Sequence, residues 1–332
     1  MKLGIAGAGK IVGELFNFIH DIDGITLEAI ATRPESIEKV KKIAEEQGIK
    51  KYYSCFDELI ADEDIEVLYI GTNNHLHYEM CIKALHAGKH IICEKPFTTN
   101  VEEFKEVVAL AKEKNLLLLE AITTQYLPNY LKVKELMPKI GKISVVTANY
   151  SQYSTRYDDF RAGNILPVFD YKMSGGALMD INIYNIHFVA GLFGRPEKVT
   201  YNANIEQNID VSGIAGLSYD GMKADLIGAK DCGAPISTCL QGNDGYIHIT
   251  TPAGVIDEVT LVLNDGTKEV YDLNDGKHRM YHEFVAFEEI FRNKDYKKAE
   301  EMLEISMIAM EILTDARKDA GIVFPADEAF QA

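Results

Sequence analysis

The sequence has 332 residues, which is long for one hydrophobic core and favours two domains. Hydrophobic residues make up 47% and charged residues 26%, and no stretch contains the roughly 20 apolar residues that a membrane span requires. The formal net charge of -17 disfavours binding to nucleic acid or to acidic membranes, because both need Lys and Arg gathered on one face.

Short apolar runs alternate with amphipathic stretches from the first residues to about Glu120. This alternation is typical of β-α units and predicts a doubly wound parallel sheet, the Rossmann fold. The predicted strands are Leu3–Ala6, Thr26–Ala31, Val67–Ile70, His90–Cys93 and Leu116–Leu119. The predicted helices are Ile11–Ile22, Glu35–Gln47, His77–Ala87 and Val101–Lys114, the last capped by Asn100.

The pattern changes after a predicted helix near Leu127–Met137. From Ile143 to Leu273 most segments are strand-like and are separated by Asn-Asp-Gly and Asp-Gly turn signals. One helix, Gly176–Phe193, interrupts this region, and two closing helices are predicted at Met280–Arg292 and Lys297–Ala320. The second half therefore reads as an α+β domain.

The cysteines favour a reducing compartment, because they are odd in number and no Cys-x-x-Cys pair is present. They are Cys55, Cys81, Cys93, Cys232 and Cys239. The first residues run directly into a strand pattern in place of a secretion signal. We expect a cytoplasmic protein.

A glycine turn follows the first strand. Gly7-Ala8-Gly9 leads into a helix, where small residues let the backbone approach a pyrophosphate, so we expect a dinucleotide site. Val12 stands where the third glycine of G-x-G-x-x-G is usual, with Gly13 next to it, and looser packing of helix on strand is expected. The alternative is a tight turn with no ligand.

The end of the second predicted strand bears on the choice of cofactor. A carboxylate there takes the ribose 2'-hydroxyl group of NAD, whereas Arg accommodates the 2'-phosphate of NADP. This chain has Ala31-Thr32-Arg33 and no acid at the strand tip. The sequence favours NADP and leaves NAD open, since Arg33 also fits a solvated surface residue.

Four further segments together resemble the Gfo/Idh/MocA family, named for glucose-fructose oxidoreductase and inositol dehydrogenase, over essentially the whole chain. The segments are Gly71-Thr72-Asn73-Asn74-His75-Leu76-His77, Glu94-Lys95-Pro96, Glu120-Ala121 with Tyr126-Leu127-Pro128, and Gly175-Gly176-Ala177-Leu178-Met179-Asp180-Ile181-Asn182-Ile183-Tyr184. Three positions depart from the family's pattern: Asn73 replaces a proline, Gln125 stands where Arg is frequent, and Asn182 replaces a glycine near the expected substrate space. Asn182 therefore points to a different substrate.

The resemblance implies an enzyme that transfers a hydride between a nicotinamide cofactor and a hydroxyl or carbonyl group of a sugar, polyol or related cyclic compound. It implies a Rossmann domain over residues 1–122 and a substrate domain over 123–332, whose open, mainly antiparallel sheet forms the face of a homodimer or higher homo-oligomer. It also implies a cis peptide bond before Pro96 and contacts to the cofactor. The expected cofactor residues are Gly7, Gly9, Lys10, Ile11, Thr32, Arg33, Thr72, Asn74, His77, Glu94, Lys95 and Glu120.

The chemistry needs a group that takes the hydroxyl proton in oxidation and returns it in reduction. Lys95 and Tyr184 are the candidates, because a neighbouring cation favours tyrosinate while burial beside a like charge favours a neutral amine. Asp180, Tyr184 and His187 are spaced to project from one helix face, and we expect them to contact substrate. A core role for His187 stays open.

Other polar groups are candidate ligands of a substrate or a metal ion. Arg161, in the aromatic and basic run from Tyr150 to Lys172, either lines a sugar pocket or lies in a mobile loop. No metal is expected, because His75-x-His77 is a weak pair and His278 with His282 has no evident third ligand.

Two rival functions use the same fold. The first is a dinucleotide-binding regulator that has lost the chemistry, against which the joint presence of Lys95, Asp180 and Tyr184 argues. The second is a reductase of a non-sugar ligand such as a tetrapyrrole or an imine, which Asn182 leaves open.

Overall fold

A computed structural model describes residues 1–329. Its contacts divide the chain into two compact units, the first made of residues 1–121 and 280–307 and the second of 122–279 and the described residues from 308. The first unit thus includes helical residues that lie far along the chain from its sheet. Both sheets confirm the predicted fold class.

The first unit holds a six-stranded parallel sheet in the order β3-β2-β1-β4-β5-β6. Its strands span Lys2–Ala6 (β1), Thr26–Ala31 (β2), Lys51–Tyr53 (β3), Val67–Ile70 (β4), His90–Glu94 (β5) and Leu118–Ala121 (β6). The helices that join them span Lys10–Leu15 (α1), Ile37–Gln47 (α2), Phe56–Ala61 (α3), His77–His86 (α4) and Val101–Glu113 (α5). The central strands are apolar and buried along their length, as expected for a sheet covered on both faces.

Three details differ from the sequence prediction. β3 and α3 were missed, because a three-residue strand is too short to show a periodic pattern. The first helix ends at Leu15 and not at Ile22, since the chain turns there to bury Phe18 and Ile19 in the core. β6 begins at Leu118, two residues later than predicted, where its pairing with Ile91 of β5 starts.

The second unit holds an eight-stranded sheet in the order β14-β13-β12-β11-β7-β10-β9-β8, antiparallel except between β7 and β10. Its strands span Ile143–Ser151 (β7), Lys198–Glu206 (β8), Ile209–Tyr219 (β9), Met222–Ala229 (β10), Ser237–Gly242 (β11), Gly245–Ile249 (β12), Val259–Leu263 (β13) and Lys268–Tyr271 (β14). Alternation of buried and exposed residues, clearest in β10, leaves one face of the sheet open.

Helices complete the two units. They span Pro128–Leu136 (α6), Thr155–Arg161 (α7), Ile183–Phe193 (α8), Tyr281–Asn293 (α9), Tyr296–Asp319 (α10) and Pro325–Glu328 (α11). A π-helical turn, Leu178–Asn182, leads directly into α8 where a continuous α-helix was predicted. Such turns insert one residue per turn and often lie at functional sites.

Candidate active site

The glycine turn after β1 has room on its outer side. Gly7 has φ +115°, and a Cβ atom there would lie 2.5 Å from the carbonyl oxygen of Gly71, so only glycine fits. A Cβ atom on Gly9, directly before α1, would meet nothing within 4 Å. Lys10 and Ile11 open α1, with the Lys10 side chain exposed. The turn is therefore tight against the protein and open toward solvent.

Val12 does not loosen the packing of α1, so this expectation from the sequence is wrong. Its side chain is fully buried, and a Cβ atom on Gly71 would lie 2.9 Å from Val12 Cγ2. The space that a glycine in the helix would have provided comes instead from a glycine that follows β4.

The residues after β2 leave a cation at the surface. Thr32 donates its backbone N–H group to Tyr53 O at 3.2 Å. Arg33 follows, with 79% of its side chain exposed, and its Nε lies 3.3 Å from Glu35 Oε1. Screening by solvent makes such a surface ion pair weak, so the guanidinium group can exchange this partner for a ligand anion.

The segment between β5 and α5 is almost entirely internal. Of the seven described residues from Glu94 to Asn100, Lys95 is partly exposed and the other six are buried. The Lys95–Pro96 peptide bond is cis, which confirms the expectation from the family resemblance. Asn100 accepts a hydrogen bond from Glu103 N at 3.0 Å and thereby caps α5, as predicted.

Two other predicted cofactor residues are buried in the first unit. His77, the first residue of α4, has no exposed surface, and its ring nitrogens lie 2.9 Å from Pro96 O and 3.2 Å from Thr72 O. Glu120, in β6, is also buried. Asn74, by contrast, begins a short 3-10 helix and is partly exposed.

In the second unit, a buried carboxylate anchors the turn that leads to α8. Asp210 Oδ2 accepts hydrogen bonds from Leu178 N at 2.6 Å and from the Tyr201 hydroxyl group at 2.7 Å. Gly176 has φ +104°, and a Cβ atom there would collide with Asp210 Oδ1. Burial raises the pKa of Asp210 to about 6. No local motif in the sequence marks Asp210 as a site residue.

Asp180 lies in the π-helical turn and forms an ion pair with Lys230. Lys230 follows β10, is buried, and its Nζ lies 5.7 Å from the centroid of the Phe169 ring. Lys230 is not predictable as a site residue from the sequence, because it stands 50 residues from Asp180. The pair holds the carboxylate in one orientation.

Tyr184 is seated against the backbone of a loop between β12 and β13. A Cβ atom on Gly254 would lie 2.6 Å from Tyr184 Cδ1, and Thr123 Oγ1 donates to Gly254 O at 2.7 Å. The rings of Tyr184 and Tyr150 have centroids 6.3 Å apart. Asp180 and Tyr184 are both partly exposed.

His187 follows Tyr184 by three residues in α8 but, unlike Tyr184, is buried, and its predicted contact with substrate stays a prediction. The residue is buried, and its carbonyl oxygen accepts a hydrogen bond from Gln125 Nε2 at 2.7 Å. Tyr184 and His187 both lie within α8, after the π-helical turn, so packing by neighbouring elements accounts for the burial of His187. This burial agrees with the core role that the sequence left open.

Arg161 ends α7 and is exposed. The surrounding segment is not a loop without structure: it contains α7 and a small aromatic core of Tyr157, Phe160 and Phe169. The Phe160 and Phe169 rings stack with centroids 5.0 Å apart, and Tyr157 donates to Glu206 Oε1 at 2.8 Å. The segment therefore has buried packing of its own.

Asn182 faces the sheet, so the expectation that it alters the substrate space is wrong. It is fully buried, and its Nδ2 donates to Leu226 O at 3.0 Å, while Asn185 Nδ2 donates to Asn182 Oδ1 at 2.9 Å. Gly228 of β10 lies opposite, where a Cβ atom would come within 2.6 Å of Asn182 Cβ. The helix therefore has Asn182 where the family has glycine, and the facing strand β10 has a glycine, Gly228, that makes room for it.

This exchange predicts coupling between Asn182 and Gly228. Gly228→Ala inserts a methyl group against Asn182 and should lower the free energy of unfolding by about 1 to 3 kcal/mol. Asn182→Gly removes buried hydrogen bonds and adds a helical glycine, and it should lower the free energy of unfolding by about the same amount. In the double variant the new methyl group fills the space that the Asn182 side chain vacates. The loss of unfolding free energy in the double variant should therefore be smaller than the sum of the two single-variant losses by roughly 0.5 to 3 kcal/mol.

Urea unfolding of the four proteins measures this coupling. Combining Asn182→Gly with Leu131→Ala, a change at an exposed site on α6, provides the control, for which additive losses are expected. Additive losses in the Asn182 and Gly228 pair would contradict the exchange.

Neither a metal centre nor a membrane span is evident in the described part of the chain. Among residues 1–329, no three His, Cys, Asp or Glu side chains cluster so as to hold a metal ion. Within the same residues, no helix is both long and apolar enough to cross a bilayer.

Comparison with known proteins gives matches along the whole chain. A family model described as an oxidoreductase family with an NAD-binding Rossmann fold matches residues 1–122, and one for the GFO/IDH/MocA C-terminal domain matches residues 130–248. A scyllo-inositol 2-dehydrogenase (NADP(+)) from Bacillus subtilis (strain 168) is 34% identical over 330 residues, covering 99% of this chain and 100% of that one. A trans-1,2-dihydrobenzene-1,2-diol dehydrogenase from Mus musculus is 27% identical over 345 residues, covering 99% of each.

A solved structure shares the fold. The 3-ketoreductase KijD10 from Actinomadura kijaniata, in complex with TDP-benzene and NADP in an open conformation, superposes with a TM-score of 0.81 at 22% identity. The superposition covers 96% of this chain and 97% of that one.

Proposed function

The chain belongs to the Gfo/Idh/MocA oxidoreductase family, and we propose that it is an NADP-dependent dehydrogenase that interconverts a secondary hydroxyl group of a cyclic polyol and the matching ketone. The main support for this proposal is the segment from Glu94 to Asn100, in which six residues are buried and Lys95 is partly exposed. A lysine held at the surface by a buried segment suits a group that must meet a substrate. The full-length similarity to a scyllo-inositol 2-dehydrogenase supports the substrate class.

The residues at the glycine turn fit a dinucleotide. The open space outside Gly9 admits a pyrophosphate, with Lys10 and Ile11 beside it, and Thr32 and Arg33 receive the 2'-phosphate. The nicotinamide end is assigned to residues at or just after the carboxyl ends of β4, β5 and β6. They are Thr72, Asn74, Glu94, Lys95 and Glu120. When bound, the nicotinamide ring supplies the hydride acceptor or donor.

In this proposal Lys95 and Tyr184 are alternative candidates for the group that exchanges the proton of the substrate hydroxyl group. In oxidation the hydroxyl proton passes to one of these side chains as the carbon loses its hydride, and in reduction it returns. Asp180 accepts a hydrogen bond from a substrate hydroxyl group, and the ion pair with Lys230 orients its carboxylate. Arg161 is assigned to a hydroxyl group farther from the reacting carbon.

Replacing Lys95 tests the chemistry. With inositols, other cyclic polyols and their ketones as a panel, Lys95→Ala should lower kcat on the order of 10²- to 10⁴-fold, because it removes a proton-transfer group. NADPH affinity should change little. Nicotinamide absorbance reports turnover, and quenching of protein fluorescence reports binding. Lys105→Ala, an exposed lysine on α5, is the control and should leave kcat unchanged.

Two results would contradict the proposed chemistry. A parent protein that binds NADPH but turns over nothing in the panel would be a regulator. Equal losses of turnover and NADPH binding in Lys95→Ala would assign Lys95 a structural role.

Arg33 tests the choice of cofactor. Arg33→Ala removes a charged hydrogen-bond donor from the 2'-phosphate, so it should weaken NADPH binding by about 1 to 3 kcal/mol and leave NADH nearly unaffected. Lys41→Ala, which removes an exposed positive charge from α2, controls for net charge. A parent protein that already prefers NADH would overturn the assignment.

The open face of the eight-stranded sheet supports a proposed dimer. Val145, Ile214, Tyr246 and Val270 are each at least 39% exposed in the single chain. Sedimentation velocity should show a dimer for the parent protein and a monomer for the Val145→Asp, Ile214→Asp double variant, since buried charge opposes association. Leu131→Asp, at an exposed site outside the sheet, should remain dimeric. A monomeric parent would refute the proposal.

The cysteines support a proposed cytoplasmic location. All five are free thiols, as expected in a reducing compartment, and cell fractionation tests the assignment.

A further inference from the structure

The backbone at Lys95 is held on its amino side by a buried carboxylate. Lys95 N donates to Glu94 Oε2 at 3.2 Å, and the other oxygen of Glu94 accepts a hydrogen bond from the Tyr69 hydroxyl group at 2.7 Å. Glu94 is buried and Tyr69 belongs to the neighbouring strand β4. The peptide that enters Lys95 is therefore tied to the adjacent strand.

On the carboxyl side, an imidazole lies between two carbonyl oxygens. His77 Nδ1 is 2.9 Å from Pro96 O, and His77 Nε2 is 3.2 Å from Thr72 O. The ring has no exposed surface. His77 therefore joins the segment after β5 to the segment after β4 without presenting itself to solvent.

A neutral ring can donate a hydrogen bond to only one of these two oxygens. Burial lowers the pKa of His77. Among its titratable neighbours, His75 also lowers this pKa and Glu120 raises it. A neutral imidazole carries a single N–H group. The shorter contact, to Pro96 O, is the better hydrogen bond and places the proton on Nδ1.

We propose that His77 is a positioning residue for Lys95, and that it acts by donating from Nδ1 to the carbonyl group of Pro96. This inference rests on the proposed function, in which Lys95 transfers the substrate proton. Glu94 holds the peptide group before Lys95 and His77 holds the carbonyl group of Pro96 after it. These contacts restrict the backbone on both sides of Lys95 and thereby limit the directions in which its side chain can extend. The role replaces the direct cofactor contact expected from the sequence.

Two amide substitutions separate the two ring nitrogens. The Asn amide nitrogen is one bond beyond Cγ, like Nδ1, and the Gln amide nitrogen is two bonds beyond Cγ, like Nε2. His77→Asn can therefore still donate to Pro96 O, whereas His77→Gln is directed toward Thr72 O. The two variants carry the same functional group and differ in which carbonyl it reaches.

The proposal predicts that His77→Gln loses kcat on the order of 10- to 100-fold, the effect of a displaced catalytic group, while His77→Asn keeps a kcat about tenfold above it. The dissociation constant for NADPH should be similar in both. The pH at which kcat falls should shift in His77→Gln and stay near the parent value in His77→Asn, because a displaced lysine meets different surroundings. Scaling kcat to the NADPH-binding sites counted by titration removes the contribution of misfolded protein.

Equal kcat values in the two variants would overturn the proposal, as would a loss in His77→Gln that is matched by weaker NADPH binding with no shift in the pH profile. Failure of the proposed function looks different. In that case the parent protein itself turns over nothing in the panel, or Lys95→Ala retains turnover, whatever the His77 variants do.

Discussion

The carboxyl ends of three parallel strands, β1, β4 and β5, lie level with one another. The candidate site in the first unit depends on this alignment. Ala6 of β1 pairs with Ile70 of β4, and Ile70 pairs with Cys93 of β5. The glycine turn, the segment at Thr72 and the segment at Lys95 therefore begin at one edge of the sheet. In an open parallel sheet this edge, next to the point where the strand order reverses, is where ligands bind. Gly7 must be glycine because the turn passes directly against Gly71 at that point.

Burial then decides which side chains at this edge are available for chemistry. Glu94 and His77 are polar residues of family motifs, yet both are internal and bound to neighbouring groups, and Lys95 between them is partly exposed. The second unit follows the same principle: Asp210 is buried and anchors the turn, whereas Asp180 and Tyr184 remain partly accessible. Buried polar groups need partners, and these partners fix the backbone that carries the exposed groups.

Two family glycines have been exchanged for larger residues without loss of packing. Val12 is accommodated by Gly71, and Asn182 is accommodated by Gly228. In each case the small residue lies on the opposite element, so the two backbones can still approach closely. Close packing requires that the volumes facing each other match, and it does not specify which partner is small.

The sequence alone determined the fold class, the family and most of the elements, because apolar periodicity and the spacing of the glycine, Glu94-Lys95-Pro96 and Asp180 motifs are local properties of the chain. The sequence also predicted the cap at Asn100, and the family resemblance that it carries implied the cis bond at Pro96. The tertiary structure decided what depends on distant neighbours. It paired Asp180 with Lys230, anchored the turn at Gly176 on Asp210, buried His187 and His77, and turned Asn182 toward β10. Each of these facts depends on packing or contacts between different elements of the chain, and periodicity within a single segment carries no information about such neighbours.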